Sequence, residues 1–220
     1  MTNLVPLGDQ AALAYFADEE AALGFAAAVR ADNAAWLADV VQAYASVATF
    51  FDLHRTCYQD VATHLRQLHA WSSHKPLAFA GKMHLIPCCY EMQLDLARVA
   101  EHTGLPPETI IRLHTATEYT VYAIGFCPGF PYLGYLPAEL CGVPRRDQPR
   151  LSVAAGSVGL TGRQTGIYTE ERPGGWNIIG RTPLELVSVA DGYFPLRVGD
   201  RVKFERVSGK EYERLERKRL

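Results

Sequence analysis

Two dense runs, GFCPGFPYLGY (Gly125 to Tyr135) and AGSVGLTGRQTGIYTEERPGGWNIIGRTP (Ala155 to Pro183), limit what this chain can become, with seven glycines between Gly156 and Gly180 alone. A glycine held in ordered structure costs about 0.5–1 kcal/mol relative to alanine, and a domain has only about 5–15 kcal/mol of net stability. So dense a set implies tight turns or backbone approaching some other group closely. Short extended segments with Gly or Pro turns between them run from Tyr119 to Phe126, Ser152 to Leu160, Gln164 to Tyr168, Trp176 to Ile179, Leu184 to Val187 and Val202 to Phe204. That spacing predicts a β-barrel or sandwich.

The N-terminal part reads differently. Leu4 to Leu7, the turn pair Gly8-Asp9 and Ala12 to Phe16 predict a hairpin. Asp18 is placed as a helix N-cap, with Glu19 and Glu20 in the first turn, Leu23, Ala26 and Val29 on one face, and a stop near Asn33. Val40 to Phe51 reads as one or two strands broken near Ala45-Ser46, and Thr56 to Gln59 has the form of a capping box opening a helix to about Trp71. Lys82 to Cys89 reads as a strand, and Leu94 to Ala100 and Pro107 to His114 as short helices. The expected division is an α+β N-terminal domain over 1–85, a β-domain over 86–208 and a charged tail over 209–220, read as a frayed helix or a solvated end.

Charge is local. Between Gly125 and Pro183 there are six arginines (Arg145, Arg146, Arg150, Arg163, Arg172, Arg181), no lysine and four acids (Glu139, Asp147, Glu170, Glu171), in a chain whose net charge is −2. Arginine without lysine favours two-pronged recognition of carboxylate or phosphate. Arg145, Arg150 and Arg181 are therefore candidate anion-binding residues, and a salt bridge to the acidic N-terminal half is the competing role. Ser157, Gln164, Thr165 and Tyr168 are nearby polar candidates. The aromatics Phe126, Phe130, Tyr132, Tyr135, Tyr168 and Trp176 read first as core.

Several chemistries are disfavoured. Gly125 to Gly129 fits a cysteine nucleophile elbow, but Pro128 follows Cys127 and has no N–H for an oxyanion hole. The histidines give no H-E-x-x-H, and His64 and His69 do not share a helix face, so no metal site is expected. No P-loop or Rossmann fingerprint occurs in the glycine cluster. Five cysteines without C-x-x-C predict reduced thiols; no signal peptide or membrane-length apolar run is seen, which predicts a cytoplasmic protein off the membrane, and no basic helix suggests nucleic-acid binding.

With Gly8-Asp9, Glu118 to Tyr122, GFCPGFPYLG, VPRRDQPR, AAGSVGLTGRQTGIY, PGGWNIIGRTP and Gly199-Asp200 in view, the chain resembles the family that includes the 5-oxoprolinase B subunit, the kinase inhibitor KipI and proteins called allophanate hydrolase subunit 1. The resemblance implies a small α+β N-terminal domain followed by a cyclophilin-like β-barrel, with Phe126, Pro128, Gly129, Phe130, Pro131, Tyr132, Gly156, Gly166, Pro173, Gly174, Gly175 and Trp176 as structural residues of the motifs. It implies action with a companion C subunit, itself a similar barrel, and an A subunit, converting 5-oxo-L-proline to L-glutamate with ATP, bound by the complex or by this chain. It leaves open two alternatives, a KipI-type inhibitor of a sensor histidine kinase and a subunit that processes urea or allophanate. The catalytic residues are unknown. Tyr135, Ala154 and the segment Tyr90 to Asp95 depart from the family pattern.

Overall fold

The computed structural model describes residues 1–72 and 81–220. The chain divides into two compact units, with the boundary between residues 80 and 81.

The first unit contains β1 (Asn3–Leu7), β2 (Ala11–Tyr15), α1 (Glu19–Asp32), β3 (Leu37–Ala43), β4 (Ser46–Phe51) and α2 (Tyr58–Ser72). Its strands pair antiparallel in the order β1-β2-β4-β3. The Asp18 carboxylate accepts from the Ala21 N–H at 2.8 Å, and Asn33 closes α1 in the left-handed region with φ 49°. Such an N-cap contributes about 1 kcal/mol. Helix α2 starts after Cys57 instead of Thr56, whose hydroxyl donates to the Cys57 carbonyl at 3.5 Å. Phe16, Phe25, Val29, Val47, Phe51, Val61 and Leu65 form a buried core among these elements.

The second unit contains β5 (Met83–Cys88), a 3-10 turn (Tyr90–Met92), α3 (Leu96–Thr103), α4 (Pro107–Ala116), β6 (Glu118–Ile124), β7 (Pro131–Gly134), a second 3-10 turn (Ala138–Leu140), β8 (Arg150–Val153), β9 (Ser157–Thr161), β10 (Gln164–Ile167), β11 (Arg172–Gly174), β12 (Asn177–Arg181), β13 (Arg201–Arg206) and α5 (Gly209–Leu215). Strands β6-β7-β10-β9-β12 pair in that order, all antiparallel. Strand β13 lies between β6, antiparallel, and β5, parallel. A separate ribbon joins β8 to β11. A closed barrel is not completed by strand ladders: between the β5 and β12 ends of the path there is one isolated bridge, in which Cys89 and Arg181 exchange N–H···O bonds of 2.8 and 3.0 Å. The main core of this unit, with Ile86, Tyr119, Leu133, Leu160, Ile179 and Phe204 at its centre, lies between this sheet and α3 and α4.

Three expectations are corrected. Ser152 to Leu160 is two strands, because Gly156 turns the chain at φ +81° with its α-carbon packed on the Thr182 carbonyl, where a Cβ would collide. Leu184 to Val187 forms no strand; Glu185 makes an isolated bridge to Arg219. Residues 209–220 are not a solvated tail. Ser208 caps α5 through the Glu211 N–H, Tyr212 is buried, and Arg217 and Glu185 bond back to the Pro183 and Lys218 carbonyls. No helix among the described residues is long and apolar enough to cross a membrane.

Candidate functional site

Tyr168, at the end of β10, joins two features of the motif region. On one side lies an aromatic cluster. The Phe130 ring meets Tyr168, Trp176 and Tyr132 edge-on at 5.3, 5.5 and 4.9 Å, and Phe126 meets Phe130 at 5.4 Å. Phe130, Tyr168 and Trp176 are buried, whereas Phe126 is 59% exposed and has φ +70°. Gly174 leaves room for the Tyr168 hydroxyl, which a Cβ at 174 would strike, and Gly166 lies under the Phe130 and Trp176 rings. The close approach that the glycines imply is therefore to the chain's own rings and carbonyls. Burial raises the Tyr132 and Tyr168 phenols above their ordinary range, and the charge of Arg145 opposes the shift in both.

The arginines divide by role. Arg150 donates both terminal nitrogens to Asp95 at 2.8 Å, Arg146 adds a third bond at 2.7 Å, and the Ile178 N–H a fourth at 2.8 Å. Burial alone would raise the Asp95 carboxyl; the Arg150 and Ile178 bonds, with the charges of Arg150 and Arg146, outweigh it and hold the pKa below its ordinary value. Arg150 thus has its fork occupied, and its expected anion-binding role is corrected to an internal ion pair. Asp95 stands at the N-terminus of α3 but makes no side-chain cap there. Its role is hidden in the sequence because its arginine partners lie about fifty positions away. Arg145 is exposed and has no acidic partner among the described residues. Arg181 donates Nε to the Ala155 carbonyl at 2.9 Å.

The remaining polar candidates separate too. Ser157 is buried, and Thr165 is fully enclosed, donating to the Gly159 carbonyl at 2.9 Å. With its proton so committed, Thr165 accepts from His114 Nε2 at 3.0 Å, which leaves His114 Nδ1 to accept from the Tyr90 hydroxyl at 2.7 Å. Burial lowers the His114 pKa to about 3. This imidazole is a neutral core group, and Thr165 belongs to the same buried network. Gln164 is half-exposed on β10. Cys127 is buried beside Thr169, at 3.6 Å, and all five cysteines are free. No group of three or more His, Cys, Asp or Glu able to hold a metal occurs among the described residues.

On the other side of Tyr168 lies a cavity of about 270 Å³, lined by Gly156, Tyr168 and Arg181 from the motif and by Tyr212, Glu216 and Arg217 from the C-terminal segment. No sequence pattern joins these two stretches. The available signal is the run of charges after residue 209, which reads as a frayed helix or a solvated tail.

Residues 2–192 match the model of the carboxyltransferase domain, subdomain C and D. The chain is 48% identical over 130 residues to the 5-oxoprolinase B subunit of Bacillus subtilis, a match covering 58% of this chain and 54% of that protein. It is 45% identical over 150 residues to the 5-oxoprolinase B subunit of Haemophilus influenzae, covering 67% of this chain and 69% of that one. The solved structure of TTHA0988 superposes with a TM-score of 0.78 at 31% identity, covering 91% of this chain and 40% of its own. Urea carboxylase of Kluyveromyces lactis superposes at 0.74 and 17% identity, over 96% of this chain and 22% of its own, which is a likeness of fold.

Proposed function

The chain belongs to the family of the carboxyltransferase domain, subdomain C and D, and from that membership we propose that it is the B subunit of an ATP-dependent 5-oxoprolinase, opening 5-oxo-L-proline to L-glutamate with companion A and C subunits. The likeness to two proteins named as the 5-oxoprolinase B subunit supports the reading and carries it. The match spans about half the Bacillus protein, at 54%, so the activity and partners of the whole relative are part of the proposal.

The chemistry of the chain fits a subunit that works in company. Its most enclosed imidazole, His114, is committed to Tyr90 and Thr165, and Cys127 is followed by a proline. Hydrolysis needs an activated nucleophile, a side chain or a water, with a base within reach, and in the proposal that machinery is completed by the partners. TTHA0988, in which this chain's fold accounts for 40% of a longer chain, supports a further unit working beside this fold. The finer fold reading, a cyclophilin-like barrel, is likewise proposed; the Cys89–Arg181 bridge supports it by linking the two ends of the strand path. Arg145, Gln164, Tyr168 and Arg181 remain proposed substrate-binding residues.

The test is ATP-dependent release of glutamate from 5-oxo-L-proline by this chain mixed with candidate A and C subunits, each omitted in turn. Turnover that disappears when this chain alone is withheld is the expected result. An assembled complex that leaves 5-oxoproline intact but consumes urea would overturn it.

A further inference from the structure

The cavity beside Tyr168 has charged walls with work left to do. We propose that it binds a small carboxylate through Arg181 and Arg217, and that the C-terminal segment decides which carboxylate enters. Arg181 is pre-aimed: its Nε is spent on the Ala155 carbonyl at 2.9 Å, which fixes the guanidinium plane, and neither terminal nitrogen has an acidic partner among the described residues. Arg150, by contrast, has both terminal nitrogens on Asp95, and Arg146 is paired to the same carboxylate. The lining residue Glu185 is also taken, by Arg219 at 2.9 Å. What remains on the wall is Arg181, Arg217 and Glu216, one net positive charge, which a single carboxylate would balance. Buried Tyr212 stands within electrostatic reach of both Arg181 and Glu216. Glu216 lines the same cavity and supplies an acceptor for a ligand N–H, so an amino acid or lactam suits the site better than a simple fatty acid.

The second observation is the backbone at Arg217. It has φ +61°, a region where a non-glycine residue is strained, and it is held there by its N–H to the Pro183 carbonyl at 3.0 Å and by the Glu185 N–H to the Lys218 carbonyl at 2.9 Å. Strain that the surroundings enforce is commonly kept where a side chain must be presented. The volume of about 270 Å³ falls just below the about 300–1,000 Å³ of sites for drug-sized ligands, as suits an amino-acid-sized molecule. The family model matches residues 2–192, and Tyr212, Glu216 and Arg217 come after them in the chain. The identity of the ligand as 5-oxo-L-proline rests on the proposed function; the carboxylate site does not.

Calorimetric titration of the full chain, without partners, tests it with 5-oxo-L-proline, L-glutamate, the neutral lactam 2-pyrrolidinone and inorganic phosphate. At least one of the two carboxylates should bind, and 2-pyrrolidinone should not. Arg217→Gly, which suits φ +61° and removes the guanidinium, should weaken binding about tenfold or more, the loss of one charge-assisted bond, with an unchanged or higher melting temperature. Arg181→Gln should weaken it at least as much. Failure of both carboxylates to bind, equal binding of phosphate, or wild-type affinity in both variants would overturn the proposal. A chain that binds 5-oxoproline in a complex that does not turn it over would sink the proposed function and leave the site standing; turnover without binding to this chain would do the reverse.

Discussion

Arg145 and Arg150 each follow a proline and look alike in sequence, yet one is exposed without an acidic partner among the described residues and the other closes a two-pronged pair on a buried carboxylate. The difference lies in Asp95, 55 positions before Arg150, which local reading places within a helix from Leu94. Breaking a buried pair from one side costs about 3–5 kcal/mol. Arg150→Ala should therefore lower unfolding free energy by about 3 kcal/mol in urea melts. Arg145→Ala should stay within about 0.5 kcal/mol of wild type while reducing turnover of the reconstituted complex; equal stability of the two variants would refute the division. His114 gives a pH signature. Its folded pKa of about 3 lies below the ordinary imidazole value of about 6.5, so the unfolded chain takes up the proton first as pH falls. The stability it permits is complete above about pH 6.5 and declines by about 1.4 kcal/mol per unit down to about 3. Asp95, held below the usual carboxylate range, adds a loss in the same direction at lower pH. Urea melts at about pH 7.5, 6 and 5 should show this slope, and His114→Gln should flatten it between about 6.5 and 5.

Elements whose ends carry their own chemistry are legible in the sequence alone. Asp18 and Asn33 bracket α1 with short-range bonds that their side chain or backbone geometry favours, and β1 with β2 follows from a Gly-Asp turn. Elements defined by distant partners are not. Ser152 to Leu160 reads as one strand because of its β-branched and apolar residues, but the Thr182 carbonyl occupies the place beside Gly156 and the chain must turn there. Leu184 to Val187 has strand composition and only one bridging residue opposite it. The turn at Gly156 is also a tight point of the motif. Gly156→Ala would put a side chain at φ +81° and against that carbonyl. A left-handed alanine costs about 1–2 kcal/mol before any clash, so a loss above about 2 kcal/mol is expected in a denaturant melt. A neutral substitution would mean that β8 and β9 can part without this contact.

At the scale of the whole molecule, the two units differ in how their chain is ordered. The first builds its sheet from strands that are close in sequence and finishes its core with Val61 and Leu65. The second places its last strand, β13, between β5 and β6, with Arg201 to Arg206 running alongside Met83 to Cys88. The family resemblance is legible because motif residues are contiguous, whereas this insertion leaves no local trace. It bears on how the protein is made. While a ribosome is still adding residues, the facing edges of β5 and β6 have no neighbour until Arg206 emerges, whereas the first unit has all its strands once Phe51 is out. Long-range pairings form slowly and leave strand edges open to other chains in the interval. The nascent protein is thus exposed to aggregation for the time that separates synthesis of β6 from synthesis of β13, and that hazard is set by strand order alone.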